Sequence, residues 1–276
     1  MGTSNLEAGL LYGIPTVGTS AHSFTLLHDS EEDAFAAQVA SLGPSTTILV
    51  DTYDIATGVE RAVKAARAAG GELGAVRLDS GDLVAEAFKV RAQLDTLGAT
   101  STKITVTNDL DEHAIAALGT APVDSYGVGT KLVTGSGRPT AALVYKLVER
   151  EGADGTMEEV AKFSSGGKST VGGRKWAGRT LTSEGTAAEE LVVSSSSQDQ
   201  GLAALSEAGA RPLQVLLVDE GRIIEEHRGK EALSAAAERH RAARAELPYD
   251  AWRLSEGEAA VPTHHVDLDG RTAVQH

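Results

Sequence analysis

The sequence contains no cysteine and is short of positive charge. Without cysteine it can form neither disulfide bonds nor thiolate metal sites, and the cytoplasm is the default expectation for its location. Its 276 residues carry 25 basic against 39 acidic side chains, which gives a net charge of −14. The surface as a whole therefore repels nucleic acid and anionic membranes. An anionic ligand must be held locally, by a helix N-terminus or a few aimed Arg and Lys groups.

Long apolar runs are also missing. No stretch approaches the roughly 18 apolar residues of a membrane-spanning helix. Met1 leads directly into Gly-Thr-Ser-Asn, without the basic and apolar regions of a signal peptide. We therefore expect a soluble protein that is not exported. With 41% apolar residues, the chain is long enough to bury the core of one large or two small domains.

From residue 14 to about residue 150, short β-branched runs alternate with Ala-rich amphipathic stretches. This alternation is typical of strand–helix units around a parallel sheet, and it predicts an α/β barrel or a doubly wound sheet. The predicted strands are Thr16–Gly18, Thr47–Val50, Ala75–Leu78, Lys103–Thr107, Ser125–Val128 and Ala142–Leu147. The predicted helices are Ser30–Leu42, Ile55–Ala69, Leu83–Leu97 and Asp109–Leu118, each with Ser, Asp or Asn near its start.

After Glu149 the composition changes, and loops rich in Gly, Ser, Glu and Thr surround a β-rich stretch, Met157–Arg179. The runs Leu213–Val218 and Arg222–Ile224, on either side of Glu220-Gly221, predict a hairpin. A helix is predicted over Glu231–Glu246, before Pro248. We therefore divide the chain into a barrel part, residues 1–150, and a C-terminal α+β appendage, residues 151–276.

Polar clusters follow the predicted strands in the barrel part. They are Gly18-Thr-Ser-Ala-His22, Asp51-Thr-Tyr-Asp54, Arg77-Leu-Asp79-Ser-Gly-Asp82, Thr107-Asn-Asp109 and Gly127-Val-Gly-Thr130. Parallel α/β folds place their ligand site at the carboxyl ends of the strands, so these clusters predict one ligand site. The alternative is that they are ordinary helix caps.

Arg77 and Asp79 alternate on one predicted strand, so their side chains point to the same face. They could form a plain salt bridge. We favour a functional pair, because a carboxylate that accepts from ribose hydroxyls beside an Arg is what a ribosyl phosphate site requires. The glycines of Gly127-Val-Gly-Thr-Lys131 would let backbone N–H groups approach a phosphate, although the same pattern is common in tight turns.

His22 lies in a run of small residues, at the end of a predicted strand. A lone histidine is more often a packing residue than a catalyst. Here Asp51, at the end of the next predicted strand, could orient one ring nitrogen and leave the other nucleophilic or basic. The stretch Phe163–Thr170 resembles the end of a Walker A loop, but Lys162 stands where the first glycine is required, so we reject a P-loop.

Six motifs in order closely resemble nicotinate phosphoribosyltransferase. They are Gly2-Thr-Ser-Asn5, Gly18-Thr-Ser-Ala-His22-Ser23, Leu49-Val-Asp-Thr-Tyr-Asp54, Val76-Arg-Leu-Asp-Ser-Gly-Asp82, Thr107-Asn-Asp109 and Tyr126-Gly-Val-Gly-Thr-Lys131. The likeness continues through Lys168, Gly173 and Lys175 to Arg239-His240-Arg241 and Glu246-Leu-Pro248, so it covers nearly the whole chain.

The resemblance implies an irregular α/β barrel of the type II phosphoribosyltransferase kind, partial in this chain. It implies a homodimer that converts nicotinate and phosphoribosyl pyrophosphate to nicotinate mononucleotide and pyrophosphate. It also implies ATP hydrolysis through a phosphorylated histidine, and dependence on Mg²⁺. In NAD salvage this is the step that recovers nicotinate.

The resemblance also implies roles for individual residues. His22 is the phosphoacceptor and Asp51 its orienting partner. Arg77 and Asp79 hold the ribosyl group. The 5′-phosphate is surrounded by Asn108, Gly127, Gly129 and Thr130. The pyridine ring and its carboxylate are read by Ser4 and Asn5, with Ser20 lining the same cavity. Ser4 stands where the related nicotinamide enzyme carries Asp, which favours a carboxylate ligand over an amide.

The family also carries an N-terminal domain and first barrel elements ahead of the Gly-Thr-Ser-Asn motif. We therefore expect this chain to be a fragment, a mis-started reading frame or half of a split enzyme, which alone would neither fold stably nor turn over. Three alternatives stay open: an inactive fragment that acts only with a partner chain, a quinolinate-type enzyme and a nicotinamide-type enzyme.

Overall fold

A computed structural model describes residues 2–141, 143–162 and 170–269. The Walker-like stretch therefore lies almost entirely outside the described residues, as does Lys168. The chain forms two compact units. The first consists of the residues up to Leu6 and those from Ile14 to residue 142, and the second of Glu7–Gly13 and the residues from Leu143 onward.

The described part of the first unit contains four strands, each of which is followed by a helix. The strands are β1 (Thr47–Leu49), β2 (Ala75–Leu78), β3 (Lys103–Val106) and β4 (Ser125–Tyr126). The helices are α1 (Leu6–Tyr12, most of which belongs to the second unit), α2 (His22–Leu26), α3 (Glu31–Leu42), α4 (Ile55–Ala68), α5 (Leu83–Thr96), α6 (Glu112–Leu118) and α7 (Thr130–Thr134).

The four strands pair in the order β1-β2-β3-β4, and all the pairs are parallel. Among the described residues this sheet does not close into a barrel. Its core is continuous: Ile48, Val76 and Ile104 come from three neighbouring strands, and each is fully buried. Val59 and Ala62 of α4 pack into the same cluster. The strands are apolar because helices cover the sheet.

The starts of the first three predicted helices are confirmed by their caps, whereas the fourth helix begins at Glu112 and not at the predicted Asp109, whose φ of 42° is not helical. The side chains of Ser30, Asp54, Asp82 and Asp111 each accept a hydrogen bond from a backbone N–H three residues later. Such acceptors satisfy amides that a helix leaves without a partner in its first turn.

Two predicted strands are not found. Residues 143–147 have no regular structure, and Leu143 and Tyr145 are almost fully exposed. No described strand lies beside this run, and an apolar pattern without a partner strand cannot form a ladder. Thr16–Gly18 is reduced to a single parallel bridge between Thr16 and Thr3.

The second unit is built on a four-stranded sheet. Its order is β12-β8-β7-β9, formed by β7 (Lys175–Leu181), β8 (Ala187–Ser194), β9 (Arg211–Pro212) and β12 (Thr263–Asp267). Helix α8 (Gln198–Glu207) packs on it through Leu205, which contacts Val193 and Ala210. The other elements are the hairpins β5–β6 (Glu149–Glu151, Met157–Glu159) and β10–β11 (Val218–Asp219, Arg222–Ile223), helix α9 (Gly229–Ala245), and 3₁₀ turns at Glu225–His227 and Tyr249–Trp252.

The hairpin turn at Glu220-Gly221 is confirmed, but its first strand is only Val218–Asp219, and residues 213–217 of the predicted run form no strand. The predicted helix is also confirmed, as α9, which ends one residue early at Ala245. Both turn residues have a positive φ, of 45° and 76°. Among the described helices, none combines the length and the apolar character needed to cross a bilayer.

Candidate functional site

The polar groups of the first unit gather at the carboxyl ends of β1 to β4. Asp51 follows β1, Asp79 follows β2, and Thr107 follows β3. Gly127 follows β4, and a methyl group added to it would lie 2.5 Å from Cγ2 of Thr107. Because all the strands run in the same direction, these ends form one edge of the sheet.

Arg77 holds this edge together. Its Nε donates to the Thr107 hydroxyl at 2.8 Å, and its Nη2 donates to Oδ1 of Asp79 at 2.9 Å. Its Nη1 donates to the Thr19 hydroxyl at 2.7 Å and to the Ser20 carbonyl oxygen at 3.4 Å. Arg77 therefore ties the coil ahead of α2 to the tips of β2 and β3.

Asp79 is held as a carboxylate. Its Oδ1 accepts hydrogen bonds from Arg77 and Thr107, while its Oδ2 lies 3.7 Å from Nε2 of His22. Burial alone raises the pKa of the Asp79 carboxyl, but the hydrogen bonds from Thr107 and Arg77 and the charge of Arg77 outweigh it. The net result is a pKa below the ordinary value of 3.8. Asp79 is therefore negatively charged at neutral pH.

Asp51 is buried, with 1% of its side chain exposed. Its Oδ2 accepts from the backbone N–H of Asp79 at 2.8 Å and from the Ser80 hydroxyl at 2.7 Å. Its Oδ1 is buried and has no hydrogen-bond partner among the described residues, and it lies 3.9 Å from Nε2 of His22. Asp51 thus fixes the backbone after β2 and presents one bare oxygen toward the imidazole.

His22 is the first residue of α2, and not the last residue of a strand as predicted, because Gly18–Ala21 form no ladder. Its side chain is 41% exposed. Nδ1 lies 3.1 Å from the Thr52 hydroxyl, while Nε2 faces the carboxylates of Asp51 and Asp79. Two negative groups beside Nε2 favour the tautomer that carries its proton there, so that the Thr52 hydroxyl donates to Nδ1.

The predicted phosphate segment follows β4. The Gly127 N–H donates to the Val106 carbonyl at 2.9 Å and continues the ladder. The next three amides, those of Val128, Gly129 and Thr130, have no described backbone acceptor. Asn108, after β3, has a φ of 96°, in the left-handed region.

Ser20 is tied to α3, where its hydroxyl donates to Oε1 of Gln38 at 2.7 Å. Ser4 and Asn5 are exposed, next to the bridge between Thr3 and Thr16. The structure therefore brings together His22, Asp51, Arg77 and Asp79. The Ser20 carbonyl is joined to this group through Arg77.

Sequence reasoning did not single out the hydroxyl groups. Thr19, Thr52 and Thr107 make the hydrogen bonds that join the charged residues of this cluster. All three lie within the quoted motifs, but a threonine hydroxyl has no pattern of its own that marks such a role. Within the described ranges, no group of three or more His, Asp or Glu side chains could hold a metal ion.

Comparison with solved structures defines the class of the fold. Human nicotinic acid phosphoribosyltransferase matches 97% of this chain and 62% of its own, with a TM-score of 0.63 and 21% identity. Nicotinate-nucleotide pyrophosphorylase from Pyrococcus furiosus matches 89% of this chain and 59% of its own, with a TM-score of 0.61 and 21% identity. The predicted α/β class, a partial barrel of the type II phosphoribosyltransferase kind, is confirmed.

Sequence comparison then gives the family. Nicotinate phosphoribosyltransferase pncB1 of Mycobacterium tuberculosis H37Rv is 47% identical over 272 residues, which cover 96% of this chain and 57% of the relative. The Bacillus subtilis nicotinate phosphoribosyltransferase is 41% identical over 179 residues, 63% of this chain and 36% of the relative. No family model matches the chain. The chain belongs to the nicotinate phosphoribosyltransferase family, and it spans just over half the length of its mycobacterial relative.

Proposed function

We propose that this chain carries the phosphoribosyl and histidine site of a nicotinate phosphoribosyltransferase. The reaction joins nicotinate to phosphoribosyl pyrophosphate, releases pyrophosphate and yields nicotinate mononucleotide, in NAD salvage. The observation that carries this proposal is the approach of His22 Nε2 to within 3.7 Å of Asp79 Oδ2. It brings the candidate phosphoacceptor and the candidate sugar-binding carboxylate into one cluster. We place the whole protein in the cytoplasm, as a homodimer.

Asp79 is suited to hold the ribose. Its Oδ1 is used by Arg77 and Thr107, whereas its Oδ2 accepts no hydrogen bond from any described residue. Oδ2 can therefore accept from a sugar hydroxyl. Arg77 uses four of its five N–H groups within the protein. Arg77 mainly keeps Asp79 charged and in place, and its fifth N–H group can donate to the ligand.

The 5′-phosphate would lie beside β4. The amides of Val128, Gly129 and Thr130 lack described acceptors, and an anion could receive hydrogen bonds from them. In a chain of net charge −14, such local donors are what an anionic ligand requires. Asn108, at the neighbouring tip, would complete this part of the site.

ATP would phosphorylate His22. A ring nitrogen forms the N–P bond to the γ-phosphorus, the bond between that phosphorus and the β–γ bridging oxygen breaks, and ADP leaves. Hydrolysis of the phosphohistidine later releases phosphate. A phosphoryl group on His22 adds negative charge near Asp51 and Asp79, which the enzyme must offset. Mg²⁺, bound with the polyphosphate substrates, would supply positive charge there, and Oδ2 of Asp79 and the bare Oδ1 of Asp51 are the oxygens that fit it.

The test is an assay for nicotinate mononucleotide, with and without ATP. It uses this chain and a chimera in which the chain replaces the matched region of the Mycobacterium tuberculosis relative. In the chimera, His22→Ala should abolish the acceleration by ATP and leave slow, uncoupled transfer. His113→Ala is the matched control, because His113 is 67% exposed on α6. Full ATP coupling in the His22→Ala chimera would overturn the proposal.

A further inference from the structure

The second unit contains a cavity of about 370 Å³ between β7, the end of α9 and the 3₁₀ turn that follows α9. Small-molecule sites have volumes of roughly 300–1,000 Å³, and most are apolar with a few aimed polar groups. Ala243, Leu247 and Ala251 form the apolar part of its lining. Arg179, His240, Arg244 and Trp252 form the remainder.

Arg244 is positioned to receive an anion. Its guanidinium carbon lies 4.0 Å from the centroid of the Trp252 ring. The N–H groups of a stacked guanidinium lie in the plane of the guanidinium, so they can still donate to a ligand at its edge. Within the described part of the chain, Arg244 makes no ion pair and no side-chain hydrogen bond beyond this stacking. Stacking on Trp252 therefore holds Arg244 in place while its N–H groups remain available.

Two carboxylates beside the cavity-lining Arg179 are already paired. Arg179 binds Glu190 at 2.6 Å and Glu246 at 3.3 Å, and Glu246 also binds Arg211. Glu190 and Glu246 are thus paired with Arg179 and Arg211, and neither pairs with Arg244. The cavity keeps one positive charge without a carboxylate partner, in a protein whose net charge is −14.

His240 lies one helical turn before Arg244, so the two side chains share a face of α9 and line the same cavity. His240 makes no hydrogen bond or ion pair with any described residue. A cation near a helix C-terminus also offsets the helix dipole, but that effect requires neither stacking on Trp252 nor a histidine one turn earlier.

We propose that this cavity binds a small organic phosphate monoester. The three terminal oxygens of a phosphate can meet Arg244 and His240 together, whereas a carboxylate's two oxygens are satisfied by the guanidinium alone. The apolar lining would cover the organic group, which an inorganic ion lacks. Nothing in the proposed transferase reaction requires this site.

The experiment titrates the protein with phenyl phosphate, benzoate and inorganic phosphate, followed by tryptophan fluorescence and calorimetry. We expect phenyl phosphate to bind with a Kd in the millimolar range or lower, and more tightly than benzoate or inorganic phosphate. Trp252→Phe should remove the fluorescence change, whereas Trp176→Phe should keep it. Arg244→Met and Arg244→Lys should each weaken binding by about tenfold or more, or 1.4 kcal/mol.

Arg239→Met is the matched control, because Arg239 is exposed on α9, has no described ion pair and does not line the cavity. It should leave the affinity within about twofold of the unmodified protein, well under 1 kcal/mol. Circular dichroism shows whether each variant is folded. If Arg244→Met does not fold, Arg244→Lys, which keeps the positive charge, provides the test. Absence of saturable binding, equal losses in the Arg239 and Arg244 variants, or equal or tighter binding of benzoate or inorganic phosphate would each overturn the proposal.

Discussion

Removing the buried carboxylate of Asp51 tests how the strand tips are held in place. Oδ2 of Asp51 accepts from the Asp79 backbone N–H and from the Ser80 hydroxyl. Asp51→Ala deletes the acceptor of both donors. Asp51→Asn keeps a side-chain oxygen that can still accept from both, and it places an NH₂ group near the position of the bare Oδ1.

The two variants should differ in stability. An N–H group left unsatisfied after its partner is removed costs about 1–3 kcal/mol. The Ser80 hydroxyl is exposed and can turn to water. We therefore expect Asp51→Ala to lower the free energy of unfolding by about 1–3 kcal/mol. Asp51→Asn should cost less than Asp51→Ala, because it keeps both hydrogen bonds to the side-chain oxygen, and the partly exposed His22 ring can change tautomer so that Nε2 accepts from the new NH₂ group.

Urea unfolding of the chimera, followed by circular dichroism, measures both values. Ser80→Ala is the control: it removes one donor and leaves the Asp79 N–H bound, so its cost should be about 0.5–1.5 kcal/mol. Equal destabilisation by Asp51→Asn and Asp51→Ala would show that the hydrogen bonds to the Asp79 amide and Ser80 do not hold the tip of β2.

Three further predictions follow from the same cluster. Because the folded-state pKa of Asp79 is lowered, its contribution to stability is complete above about pH 4 and is lost as the pH falls through the folded value. In urea melts below this pH, Asp79→Asn should make the free energy of unfolding fall less steeply with pH. An unchanged pH profile would contradict this. Gly127→Ala should cost about 1–3 kcal/mol, because the added methyl displaces Thr107 from its hydrogen bonds. Thr107→Ser, which removes Cγ2, should recover part of that loss in the double variant; additive losses would contradict the clash. Thr52→Val should shift the ring ¹⁵N resonances of His22 away from the Nε2-protonated tautomer while Thr52→Ser should not, and identical spectra would show that Thr52 does not set the tautomer.

The sequence was sufficient to predict the scaffold of the first unit, because the signals are local. Ser30, Asp54 and Asp82 mark helix starts through contacts only three residues long. The order of polar clusters after β-branched runs was enough to place Asp51 and Asp79 at one sheet edge. Both inferences depend on short-range rules that tertiary packing did not override.

What the sequence could not supply is the pairing of side chains across the sheet. His22 Nδ1 hydrogen-bonds Thr52, 30 residues away, and this contact was not predicted. Nε2 lies 3.9 Å from Asp51, the residue that was predicted to orient the ring. Which residue meets which ring nitrogen depends on the angle at which α2 begins. The expected strand over Ala142–Leu147 failed for a related reason, since a strand needs a neighbour, and an apolar run does not specify one.

In the proposed function, His22 shares one site with the groups that bind the phosphoribosyl moiety. Nuclear magnetic resonance tests this: the histidine ring resonances of the ¹⁵N-histidine-labelled chimera are recorded as phosphoribosyl pyrophosphate and Mg²⁺ are added. The His22 resonances are assigned by their loss in His22→Ala, and calorimetry confirms that the ligand binds. We predict that the His22 resonances shift with saturation while those of His113 do not. Binding that leaves the His22 resonances unmoved would contradict the claim.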